Sequence, residues 1–153
     1  MTTIDPMPGP RLSAETLHAS TVVLDGRAVL IAGPSGSGKS DLALRLLDRG
    51  FTLVSDDQTI VKRDGGRLIA CAPPAIAGKL EVRGIGIVEI EHVDDVPLAL
   101  AVELTSDIER LPEDGRGRLI LGVSLPLITI DAMTASAPSK VVLALDRTGL
   151  NFQ

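Results

Sequence analysis

One run of eight residues carries the clearest chemical signal in the chain: Gly33-Pro34-Ser35-Gly36-Ser37-Gly38-Lys39-Ser40. It fits the pattern G-x-x-x-x-G-K-S, with an apolar strand before it and an amphipathic helix after it. Glycines let the backbone wrap an anion with its N–H groups pointing inward. The helix N-terminus adds favourable partial charge. Lys39 then neutralises β/γ-phosphates, and the Ser40 hydroxyl can ligate Mg²⁺. A glycine-rich turn that merely opens a helix is the plain alternative, and it rarely has both flanks right.

Two further groups could serve the same chemistry. Asp56-Asp57 ends the strand after the loop helix, where P-loop enzymes place a metal-binding or base carboxylate. Strand neighbours point to opposite faces, so one aspartate can face the phosphates while the other bonds loop backbone. A solvated turn accounts for the pair equally well. The third group is Glu81-Val82-Arg83-Gly84-Ile85-Gly86-Ile87. In an extended segment Glu81 and Arg83 share a face and can serve metal and phosphate together. An exposed ion pair beside a bend is the plainer reading of the pattern alone.

The elements that must position these groups are short. Thr21–Leu24 and Ala28–Ala32, split by Asp25-Gly26, predict a hairpin. Lys39–Arg49 predicts a helix with Leu42, Ala43, Leu46 and Leu47 on one face and Gly50 at its end. Phe51–Ser55 is a short strand. Gln58–Arg63 and Arg67–Ala70 form a second hairpin around Asp64-Gly65-Gly66, and Pro73-Pro74 breaks the chain. Ile85–Ile90, Leu98–Leu104 and parts of Leu119–Ile130 read as strands. Ser106–Leu111 reads as a short helix. Ser136–Thr148 reads as a terminal helix, with Ser136 near its cap, Pro138 in its first turn and Gly149 after its end. The expected fold is α/β, a strand-rich mixed sheet with hairpins and few helices, unlike the βαβ alternation of a doubly wound fold. Residues 1–11 read as a loose Pro/Gly-rich leader and 12–153 as one domain.

Composition removes several classes. Apolar residues are 44% of 153 and charged residues 23%, so the chain buries a core. With only Phe51 and Phe152 as aromatics, that core is aliphatic and base stacking has no platform. A net charge of −5 without a Lys/Arg cluster argues against nucleic acid. No stretch reaches the roughly 18 apolar residues of a membrane helix. No signal peptide is visible at the N-terminus, so a cytoplasmic protein is expected. The lone Cys71 reads as a small core residue and His92 as surface.

Taken together, the three groups resemble the HPr kinase/phosphorylase family, bacterial enzymes that phosphorylate a serine of the phosphocarrier HPr. The resemblance runs from His18 to about Ile90, in order: Leu17-His18-Ala19, the phosphate loop, Arg49-Gly50, Leu53-Val54-Ser55-Asp56-Asp57, and the glycine-rich Glu81–Ile87 segment. It implies a P-loop kinase domain of the HPr kinase and phosphoenolpyruvate carboxykinase type. It further implies ATP and Mg²⁺, with Gly33–Ser40 on the nucleotide, Lys39 on its phosphates, and Ser40 and Glu81 holding the metal. Either Asp56 or Asp57 accepts the proton of the target serine, alignment on the loop favouring Asp57, and His18 and Arg83 join the catalytic set. The implied partner is an HPr-like phosphocarrier protein, the implied assembly a homo-oligomer, and the reverse reaction a phosphate-dependent dephosphorylation. Longer members carry a separate N-terminal domain; only 17 residues precede His18, so the catalytic domain alone is expected. Where the family's catalytic loop carries arginines, Leu125–Asp131 has none, and Arg116 and Arg118 lie upstream. The alternatives are a P-loop kinase of a small metabolite, or a catalytically inactive nucleotide-binding module. No guanine-recognition motif accompanies the loop: Lys62-Arg63-Asp64 is preceded by Val61.

Overall fold

Runs of β-branched and leucine residues pair into sheet wherever a turn residue brings them back on themselves. The computed structural model describes residues 13–107 and 116–152. Within them lie β1 (Ala14–Leu17), β2 (Ala19–Leu24), β3 (Arg27–Ala32), α1 (Lys39–Leu47), β4 (Thr52–Ser55), β5 (Thr59–Asp64) and β6 (Arg67–Cys71). A 3₁₀ turn (Pro74–Ile76) leads to β7 (Lys79–Val82), β8 (Gly86–Glu89), β9 (Val96–Leu104), β10 (Gly117–Ile120), β11 (Val123–Ile130) and α2 (Ala137–Thr148).

The main sheet runs β1-β5-β6-β9-β3-β2-β4, with β11 beside β9 and β10 outside β11; β7 and β8 form a separate hairpin. β9 is flanked along its length by β3 in parallel. Its other edge is shared, with Val96 and Pro97 pairing β6 and Ala101–Leu104 pairing β11. The β2–β3 hairpin turns at Asp25 (φ 52) and Gly26 (φ 76), the two left-handed positions of the turn that matches strand twist.

Alternation along the central strands makes two cores. Val29, Ile31, Leu100, Val102 and Leu104 face Leu42 and Leu46 of α1 and Val141 and Leu145 of α2. Ala28, Leu30 and Ala101 face Val61, Leu68, Ile120 and Leu125 from the outer strands. Cys71 is buried as expected, and burial, ahead of the nearby charges, pushes its thiol pKa up.

Several expectations need correction. α1 stops at Leu47; the Gly50 N–H bonds Leu47 O (3.1 Å) and the Phe51 N–H bonds Leu46 O (3.2 Å), with Gly50 left-handed at φ 94. Ser136 and Gly149 bound α2 where expected, but Ser136 keeps helical dihedrals and makes no side-chain cap bond. Gly149 is extended, and its need is space: an added Cβ would lie 2.5 Å from Leu145 O. Lys79–Val82 is a strand that sequence patterning passed over, so Glu81 and Arg83 do not share an extended face; Arg83 lies in the β7–β8 turn. Ser106 and Asp107 are not helical, and the rest of the expected Ser106–Leu111 helix lies outside the described residues, as does the leader.

Candidate active site

Three parallel strands end at one edge. Ala32 pairs Glu103, and Glu103 pairs Thr129. The phosphate loop leaves β3 there. Gly36 (φ 80) and Gly38 (φ 98) take left-handed conformations that a side chain would strain. Gly33 has no room for a Cβ, which would lie 2.7 Å from Ser37 Oγ and 3.2 Å from Leu104 O. The loop opens α1, whose first-turn N–H groups have no partner inside the helix. Lys39 is only 6% exposed, and its Nζ donates to Gly33 O (2.9 Å) and Pro34 O (3.1 Å), folding the ammonium across the loop.

β4 delivers the aspartates to the same edge. Asp56 is buried. Its Oδ1 accepts hydrogen bonds from Ser40 Oγ (2.7 Å) and Ser20 Oγ (2.8 Å), and its Oδ2 accepts the Glu81 N–H (3.1 Å). One carboxylate therefore ties α1, β2 and β7 together. Asp57 points the other way, its side chain 63% exposed, with Oδ1 2.9 Å from His18 Nε2. Its φ is 69 and the Gln58 N–H reaches Asp56 O at 2.7 Å, a tight left-handed turn of the kind that stores strain. The two aspartates divide as expected, but the turn after β4 does it, not strand alternation, and Asp57 pairs with histidine instead of backbone.

His18, Lys39, Ser40, Asp56, Asp57 and the Glu81 backbone meet at this edge. The Glu81 side chain is exposed, and Arg83 is exposed on its turn without a hydrogen bond to these groups among the described residues. Ser20 escaped sequence reasoning. Its hydroxyl donates to Asp56 and accepts the Asp57 N–H at 3.0 Å, so it sets both aspartates at once. The sequence offered only a hydroxyl opening an apolar strand; once fully buried there, it must find partners.

The donors fit a nucleoside triphosphate with its cation. The buried Ser37 Oγ has no partner among the described residues. Among the described residues no three His, Cys, Asp or Glu side chains gather as a metal cage. Mg²⁺ is usually held by one or two carboxylates, with phosphate and water filling the rest, which suits Asp56 beside the Ser40 hydroxyl.

Sheet order, phosphate loop and buried aspartate define a P-loop kinase-type α/β domain. A family model of the HPr serine kinase C-terminal domain matches residues 11–147, and the chain belongs to that family. The HPr kinase/phosphorylase of Alkaliphilus metalliredigens is 38% identical over 128 residues, 75% of this chain and 41% of that protein. Its counterpart in Prosthecochloris aestuarii is 36% identical over 151 residues, 90% of this chain and 44% of that protein. The chain thus spans less than half the length of these relatives. The solved HPr(Ser) kinase/phosphatase from Coxiella burnetii superposes with a TM-score of 0.75 at 30% identity, covering 86% of this chain and 94% of that one.

Proposed function

We propose that the chain is an ATP-dependent protein-serine kinase acting on an HPr-like phosphocarrier protein, with the reverse, phosphate-dependent dephosphorylation at the same site. The carrying observation is the division of the aspartates beside a complete phosphate loop: Asp56 buried against Ser40, Asp57 exposed against His18. The names and functions borne by the relatives support the same reading.

In this reading the loop N–H groups and Lys39 bind the β- and γ-phosphates. Ser40, Asp56 and Glu81 would hold Mg²⁺, which when bound neutralises charge on those phosphates. The acceptor serine approaches from the exposed side. Asp57 takes its hydroxyl proton as the oxygen bonds the γ-phosphorus and the bond to ADP breaks. His18 fixes the carboxylate's orientation through Nε2. In reverse, inorganic phosphate attacks the phosphoserine and Asp57 returns the proton to the serine oxygen, leaving pyrophosphate. Arg83, exposed on the β7–β8 turn, is assigned to the acceptor's phosphoryl group. The protein acts in the cytoplasm and as a homo-oligomer; among the described residues no helix is long and apolar enough to cross a membrane.

Intact-mass analysis of an HPr-like protein incubated with this chain, ATP and Mg²⁺ tests the proposal. One added phosphoryl group on serine is expected, absent with Lys39→Ala and removed again by phosphate. No gain despite measurable ATP binding would overturn it.

A further inference from the structure

The loop between β11 and α2 touches the phosphate loop, and the chemistry above makes no use of it. Ala132 is buried, and a Cβ added at Gly38 would lie 3.2 Å from Ala132 Cβ and 3.4 Å from Met133 Cε. Gly38 is the left-handed residue that opens α1, so this is the turn that presents Lys39 and Ser40. The β11–α2 loop is shaped by its own bonds: Asp131 Oδ1 accepts the Met133 N–H (2.9 Å) and Asp131 O accepts Thr134 Oγ1 (3.0 Å).

Those bonds shape the loop but do not seat it on the helix. Arg45 does that. From the last turn of α1, its Nη1 donates to Thr134 O at 3.3 Å and its Nη2 donates to Ala132 O. Nε lies 3.1 Å from Asp41 Oδ2, one turn earlier. The Asp41 side chain is 66% exposed, so that pair adds little. The two carbonyl bonds carry the hold, because a guanidinium presents its donors in a fixed planar fork and can engage two acceptors of one loop together. The same helix carries Lys39 and Ser40 at its other end. One rigid element therefore links the phosphate loop and the loop that backs it.

The geometry points to Arg45 as a positioning residue for the phosphate loop, acting through Ala132 and Met133. It touches no reacting atom. It keeps a wall against Gly38 and so restricts where the first turn of α1 can go. The inference deepens the kinase reading and rests on it for its nucleotide arm.

The test combines hydrogen exchange with ATP titration in the full chain. Arg45→Met keeps the aliphatic stem and removes the donors; Arg45→Lys keeps charge without the fork. Arg45→Met is expected to speed amide exchange at residues 36–40 and at 132–137 together, and to raise the Kd for ATP about tenfold, within the roughly 5–150-fold range of coupling between linked sites. In turnover the loss falls on the KM for ATP more than on kcat. Arg45→Lys recovers only part of it, and stands in if Arg45→Met folds poorly. Faster exchange confined to 132–137 with unchanged ATP affinity overturns the inference, as does a lower melting temperature with 36–40 untouched. If the wild type does not bind ATP but Arg45→Met still loosens 36–40, the kinase reading fails and the positioning role stands.

Discussion

Asp57 is held in a backbone conformation that costs an L-residue about 1–2 kcal/mol. The Ser20 hydroxyl and the His18 ring offset that cost by bonding its N–H and its carboxylate. The turn sends successive aspartates to opposite sides, which gives them opposite expected responses to the same change. Asp57→Asn should lower phosphotransfer by about 10²–10⁴-fold, the usual contribution of a positioned base, while ATP binding stays nearly intact. Asp56→Asn should weaken Mg²⁺–ATP binding and lower the melting temperature, because it puts an amide among three donors inside the fold. Steady-state kinetics beside ATP titration separates the two. Unchanged turnover in Asp57→Asn would remove it from the proton path. The acidic pair and a division of its tasks were legible in the sequence, but which aspartate takes which task was not. That division depends on Ser20, a residue 36 positions upstream of Asp56 that looks like filler in an apolar strand.

Elements with a strong local cause were the legible ones. The Asp25-Gly26 hairpin and the glycine that ends α1 rest on backbone preferences confined to a few residues. Gly50 tests this. An added Cβ there meets only Leu24 Cδ1 at 4.0 Å, so Gly50→Ala probes backbone strain almost alone. It should cost about 1–2 kcal/mol, read as a lower urea midpoint with unchanged slope. Steric clash is ruled out in advance, so a neutral result would mean that α1 does not need its left-handed end. The β10–β11 turn was harder to see. It places Leu121 at φ 49, a residue type that gives no turn signal, beside Gly122 at φ 80. Pro97 and Pro126 also obscure strands. Each stands immediately before the first pair of a parallel ladder with β9 or β3, where a missing N–H is tolerated.

At the scale of the whole molecule, β9 joins everything. It pairs with β3 on one edge and with both β6 and β11 on the other. Leu100, at its centre, is fully buried in the core beneath the two helices. Leu100→Ala should destabilise the fold by about 2–5 kcal/mol. The loss should appear as one cooperative transition by circular dichroism and by protection of the phosphate-loop amides. Two separated transitions would show that the loop and the sheet are not one unit.

The sequence by itself determined the phosphate loop, because glycine placement, Lys39 and Ser40 act through adjacent backbone and need no distant partner. It also determined the hairpin-rich character and the aliphatic core, both read from short-range patterning and composition. Only the tertiary structure decided which aspartate lies inward, that Ser20 sets both, that Arg83 stands on a turn, and that Arg45 seats a wall against Gly38. Those contacts join residues 18–20, 39–45, 56–57, 81 and 131–134, brought together by strand order. The physical reason is that a hydrogen bond between distant residues leaves no local periodicity. It exists only after the sheet has chosen its neighbours.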